Sequence, residues 1–201
     1  MAKEKVEPAV RSFASAEDFL AWLAVHHDTP EGIWLRIAKR ASGVASVTYA
    51  GALDAALRYG WIDGQKRAED AAWFRQHFVP RRRRSVWSRI NRDAAERLIA
   101  AGLMCPSGQR EVDAAKADGR WAAAYEGQRT AQVPDDFLAA LKENAAAAAF
   151  YEGLDKVNRF AIVFRLQTAK TPATRAKRMC GRRCWRARRS RRTPRPRRSA
   201  R

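Results

Sequence analysis

Hydrophobic positions change period along the chain, and each change predicts an element. Phe19, Leu20 and Leu23 recur at helical spacing behind Ser15 and Asp18, a capping box with the shorter Asp in place of Glu, which predicts a helix from about Ala16 to Val25. Ile33, Leu35 and Ile37 then alternate with Trp34, Arg36 and Ala38, the period of a half-buried strand. A turn centred on Ser42-Gly43 follows. Thr48 caps a second helix with Tyr49, Leu53 and Leu57 on one stripe, and Gly60 ends it. Trp61–Lys66 and Trp73–Val79 read as strands whose short connection favours antiparallel pairing, with Asp63-Gly64 marking a bulge or tight turn.

Beyond Val79 the periodicity is helical. Asn91 is placed to cap a helix over Ala94–Ala101, with Asp93 and Glu96 near its positive end and Gly102 as terminator. Pro106 to Asp118 predicts another helix, stopped by Gly119. Pro134 opens a helix with Phe137, Leu138 and Leu141, and Ala145 to Tyr151 is strongly helix-forming. Val157, Phe160, Ala161 and Phe164 make an apolar stripe, and Thr171-Pro172 starts one more helix. The fold class is therefore α+β: a small, antiparallel or mixed sheet of about three strands packed with helices, followed by a helical bundle. The expected organisation is an α+β domain over residues 1–126, a helical domain over 134–178 with a polar seam at Gly127–Val133, and a disordered basic tail over 179–201.

Charge sharpens that division. The chain carries 40 Lys and Arg against 21 Asp and Glu, a net charge of +19. Fourteen of the basic residues and none of the acidic ones lie from Arg175 onward, so residues 1–174 hold 26 basic against 21 acidic, a net of +5. The tail, with its Pro, Ser and Thr, cannot build a core and would bind polyanions non-specifically. Three cysteines without framework spacing favour a reducing compartment. Met1 to Val10 shows no apolar leader and no window approaches a membrane span, so the expected location is the cytoplasm.

Candidate chemistry is sparse. His26, His27 and His77 lack ligand spacing, and Cys180 with Cys184 lacks a second pair, so neither metal nor cofactor is expected. There is no nucleophile elbow and no glycine-rich phosphate loop. The stretch Trp73 to Arg92 interleaves aromatics with arginines, Arg81–Arg84 among them, which supports a nucleic-acid alternative alongside a core strand followed by a solvated turn.

At Tyr59-Gly60-Trp61-Ile62-Asp63-Gly64-Gln65 the sequence resembles the YdeI/OmpD-associated, or bacteriocin-protection, family. Phe78-Val79-Pro80-Arg81-Arg82, Ser85-Val86-Trp87-Ser88 with Asn91, Ala95 to Ile99 with Gly102 and Met104, and Ala115 to Trp121 continue the likeness. So do Asn158-Arg159, Gln167 to Lys170 and Thr174 to Arg178. The resemblance spans about residues 10–178. It implies a non-enzymatic binding or stress-protection protein linked to antimicrobial-peptide resistance, with an envelope protein or porin as partner and the periplasm as the alternative location. Asp63, Gln65, Arg81, Arg82, Ser88, Asn91, Lys116 and Asp118 are the polar residues that these motifs hold at element ends, and they form the candidate binding set. A bidentate Asp63–Arg81 pair, bracing the sheet end or lining a pocket, is expected within it. An enzyme of unknown reaction would use that same pocket. The family's apolar C-terminal ending is missing. Cys184-Trp185-Arg186 read one base earlier becomes an apolar triplet similar to it, so a frame slip is a second account of the tail.

Overall fold

A computed structural model of the chain describes residues 7–179. The expectations for the tail, including the frame slip, lie outside the described residues, apart from Met179. The chain divides into two compact units, Met1–Ala124 and Tyr125–Arg201.

The first unit is a four-stranded sheet with helices. In chain order its elements are β1 (Val10–Ser12), α1 (Ala16–His26), β2 (Ile33–Ala38), a 3-10 turn (Arg40–Ser42), α2 (Tyr49–Arg58), β3 (Trp61–Ala68), β4 (Trp73–Pro80), α3 (Arg89–Ala100) and α4 (Pro106–Ala117). The strand order is β1-β2-β4-β3, with β1 parallel to β2 and the other pairs antiparallel. One strand more is present than the three expected. β1 has only three residues, all exposed, and so carries no apolar alternation to betray it.

Local signals formed as written at most element ends. Ser15 and Asp18 make the reciprocal capping box of α1, and the Thr48 side chain accepts from Gly51 N–H at the start of α2. The β3–β4 register slips between Asp63 and Lys66, the bulge that Asp63-Gly64 signals. The cap of α3 differs from expectation. Ser88 caps it, at 3.2 Å from Asn91 N–H, and Asn91 sits buried inside the first turn, because the helix begins five residues earlier than its apolar stripe.

Alternation gives the sheet two unlike faces. Ile33, Leu35, Ile37, Phe78 and Trp61 point into one core, which Phe19 and Leu23 of α1 and Ala52, Ala56 and Leu57 of α2 complete. The other face is an interlocked ladder. Arg67 lies 4.3 Å from the Trp34 ring, which stacks on His77 at 4.7 Å, and Arg36 lies 4.5 Å from Trp73. Arg36 and Arg75 both reach Glu69, at 3.1 and 2.9 Å, and the Arg75 hydrogen bond leads in holding the Glu69 carboxyl below its ordinary value. These rings already carry their cations.

Close backbone approach fixes α4 against the end of α2. Cys105 N–H donates to Arg58 O at 3.0 Å, and a Cβ on Gly108 would stand 2.3 Å from that oxygen. Gly108→Ala should therefore force the two helices apart and cost about 1–3 kcal/mol, read as a lower midpoint in denaturant unfolding of the full chain.

The second unit is helical: α5 (Asp135–Lys142), α6 (Ala145–Glu152), α7 (Lys156–Gln167) and α8 (Pro172–Met179). Its core joins Phe137, Leu141, Tyr151 and Leu166. Val157, expected on the buried stripe of α7, is 62% exposed, and Val163 and Leu166 are buried in its place. The buried side of α7 is the one whose Leu166 packs with Phe137, Leu141 and Tyr151. No helix among the described residues is long and apolar enough to cross a membrane.

Candidate functional site

Several residues of the first-unit motifs gather at one end of the sheet, where they contact one another. Arg81 N–H donates to Gly60 O at 3.0 Å, extending the β3–β4 ladder by one rung, and its side chain is buried with the guanidinium carbon 3.5 Å from the Trp87 ring centre. Arg81 Nη1 donates to Val86 O at 3.3 Å. Trp87 meets Trp121 edge-on at 4.8 Å, and Lys116 Nζ lies 5.5 Å from the Trp121 ring. Arg120, also buried, donates through Nε to Asp118 at 2.6 Å and through Nη1 to Ser85 O at 3.0 Å. Two guanidinium groups, two indoles and one carboxylate thus tie the β4–α3 loop to the end of α4.

Five of the eight candidate residues belong to this cluster or border it: Arg81, Ser88, Asn91, Lys116 and Asp118. Three do not. Arg82 is exposed in the loop, and Gln65 is exposed at the β3 bulge. Asp63 accepts a 2.8 Å hydrogen bond from Tyr49 Oη. The expected Asp63–Arg81 pair is not made. Asp63 lies opposite Phe78 and shares the pleat side of Trp61 and Pro80, whereas Arg81 is one position past Pro80 and emerges on the alternate side. The nucleic-acid reading loses Arg81, which faces a buried indole. Arg120, which closes the cluster, lies in the motif Ala115 to Trp121 but is not among the eight candidates, since nothing in the sequence shows that its side chain turns back to Asp118 and Ser85.

A cavity occurs in the second unit. An open cleft of about 670 Å³ lies between the 128–133 segment, Tyr151 of α6 and one side of α7. Tyr151, Phe160 and Val163 give it an apolar floor, and Arg129, Lys156 and Arg159 supply three cations with no carboxylate in the lining. Arg159 is anchored, donating to Leu154 O at 3.0 Å and to Glu152 O, with its guanidinium 5.6 Å from the Tyr151 ring. Burial pushes the Tyr151 phenol above its ordinary value against the pull of Arg159, so the floor stays uncharged at neutral pH. Arg129 and Lys156 form no ion pair among the described residues. The segment Gly127–Val133 reads in the sequence only as a seam, since a cleft formed across a loop has no periodic signature.

A clamp holds this unit's helices together. Arg175 donates to both Asp136 oxygens at 2.7 Å and to Leu166 O at 2.8 Å, joining α8 to α5 and α7. The Arg175 hydrogen bond leads in lowering the Asp136 carboxyl below its ordinary value. A depressed carboxyl stabilises the fold above its unfolded value, near pH 4, and loses that contribution as pH falls through the folded value. Asp136→Asn should lower the second unit's melting at pH 7 by an amount worth about 0.5–1 kcal/mol, given the partial exposure of the pair. Melting curves taken at falling pH should show the difference closing below pH 4.

The described geometry defines a two-unit α+β protein: a sheet unit with a cation–indole brace, and a helical unit with a basic, apolar-floored cleft. Residues 11–111, half of the chain, match a family described as a domain of unknown function (DUF8412). Residues 130–180 match the family described as bacteriocin-protection, YdeI or OmpD-associated. The chain therefore belongs to the DUF8412 family and carries a segment similar to the YdeI/OmpD-associated family. The motifs from Tyr59 to Met104 fall within the first match and those from Asn158 to Arg178 within the second, while Ala115 to Trp121 lies between the two. Neither a curated protein nor a solved structure matches the chain.

Proposed function

We propose that the protein is a non-enzymatic binding protein that protects against cationic antimicrobial peptides by engaging an anionic partner. One observation carries this reading: the cleft, most of whose lining falls in the family-matched segment 130–180, has three cations (Arg129 just outside that segment), an apolar floor and no carboxylate in its lining. Such a surface repels a cationic peptide and attracts an acidic group attached to an apolar body. Its volume lies in the range of about 300–1,000 Å³ that suits a small ligand or a few side chains. The family description names an OmpD association, which supports an acidic, partly apolar segment of an envelope protein as the partner.

The test is survival of bacteria expressing the full chain under challenge with a cationic peptide. The parent should protect, and Arg129→Glu with Lys156→Glu should not, at equal levels of folded protein. Equal protection by both would remove the cleft from the account.

A further inference from the structure

The loop between β4 and α3 carries chemistry that neither the brace nor the cleft uses. Arg82, Arg83 and Arg84 are exposed, Val86 is 36% exposed, and Ile90 in the first turn of α3 is 62% exposed. An aliphatic residue that open, beside three arginines, has no role in the core. The loop beneath them is pinned. Arg82 N–H donates to Ser85 Oγ at 3.0 Å and Ser85 N–H to Arg82 O at 2.8 Å. Val86 O accepts from Arg81 and Ser85 O accepts from Arg120, so the brace grips the loop by its carbonyls. A pinned loop loses little conformational freedom when it meets a partner.

We propose that this loop docks on an anionic lipid surface, its three arginines on headgroup phosphates and Val86 and Ile90 at the boundary with the acyl chains. The choice of occupant rests on the kind of apolar residue presented. Nucleic-acid surfaces pair arginine with open aromatic planes on which bases stack. Here the aromatic of the loop, Trp87, is buried with Arg81 over its ring, and the exposed residues are aliphatic. Aliphatic side chains flanked by arginine fit the headgroup boundary. The contact is peripheral and lies in the first unit, independent of the cleft.

The experiment is co-sedimentation of the full chain with phosphatidylglycerol–phosphatidylcholine vesicles at physiological salt, beside a duplex oligonucleotide titration. The arginine-rich C-terminal segment is present in every variant and contributes equally to each. A surface arginine is worth about fivefold in affinity, so R82Q/R83Q/R84Q should weaken vesicle binding by roughly 100-fold. V86S/I90S should weaken it several-fold and leave oligonucleotide binding unchanged. All five side chains are exposed, so melting of both variants should match the parent. Vesicle binding equal to the parent in both variants would overturn the proposal. So would a charge-variant loss of equal size on vesicles and DNA with no effect of V86S/I90S, which would make the loop a nucleic-acid surface.

Discussion

Trp87→Ala should destabilise the first unit by about 3–5 kcal/mol, the range for deleting a large buried aromatic. Two losses combine at this position. The indole is 2% exposed and packs edge-on against Trp121, so its removal opens a cavity at the junction of the loop and α4. It also removes the surface on which the buried Arg81 guanidinium rests, leaving a desolvated charge beside empty space. Arg81→Ala should cost less, because the cation goes with its contacts and the Trp87–Trp121 pair remains. Denaturant unfolding of the full chain checks the order. A Trp87→Ala protein that unfolds like the parent but fails to protect cells would turn the brace into a binding site.

The second large effect belongs to the cleft. An amphipathic anion such as 8-anilinonaphthalene-1-sulfonate presents a sulfonate and an aromatic body, the two features that the cleft complements. Each charge-assisted contact is worth about 1.5–3 kcal/mol, so exchanging Arg129 and Lys156 for Glu should weaken the probe at this site at least ~100-fold. Both residues are exposed, and melting should stay near that of the parent. Phe160→Ala should weaken the probe through the apolar floor alone, and equally for a neutral naphthalene. Fluorescence titration separates the two effects, and an unchanged affinity in the charge variant would exclude electrostatic recognition there.

Elements with a strong local signal were legible in the sequence. The Ser15–Asp18 box, the alternation of β2 and the glycines at 60, 102 and 119 each act within a few residues, and all three glycines take positive φ where a helix ends. What stayed hidden depends on residues far apart in the chain. β1 exists only because its backbone pairs with β2, so its side chains carry no pattern. The apolar face of α7 is set by the helices that meet it, and several residues around its circumference are apolar enough to serve. Asp63 and Arg81 looked like partners because the strand pairing brings them close. Their side chains part because a pleat reverses direction at every residue, and proximity in register does not supply a shared face.

The motif residues show the same limit from the functional side. Polar residues at the ends of elements resemble a binding set, yet the brace consumes Arg81, Arg120 and Asp118 in contacts that hold a loop. Of the cleft cations, Arg159 lies in the motif Asn158-Arg159, whereas Arg129 and Lys156 belong to no motif, and only the fold brings the three to one cleft.

The account's central claim is that binding takes place in the second unit's cleft while the first-unit cluster is structural. Amide chemical-shift mapping of the isotopically labelled full chain, titrated with 8-anilinonaphthalene-1-sulfonate, tests it most directly. The predicted result is a saturable set of shifts centred on Tyr151, Lys156, Phe160 and Val163, with Arg81, Trp87, Asp118 and Trp121 unmoved. Saturable shifts centred on Arg81 and Trp121, with the cleft residues silent, would contradict it.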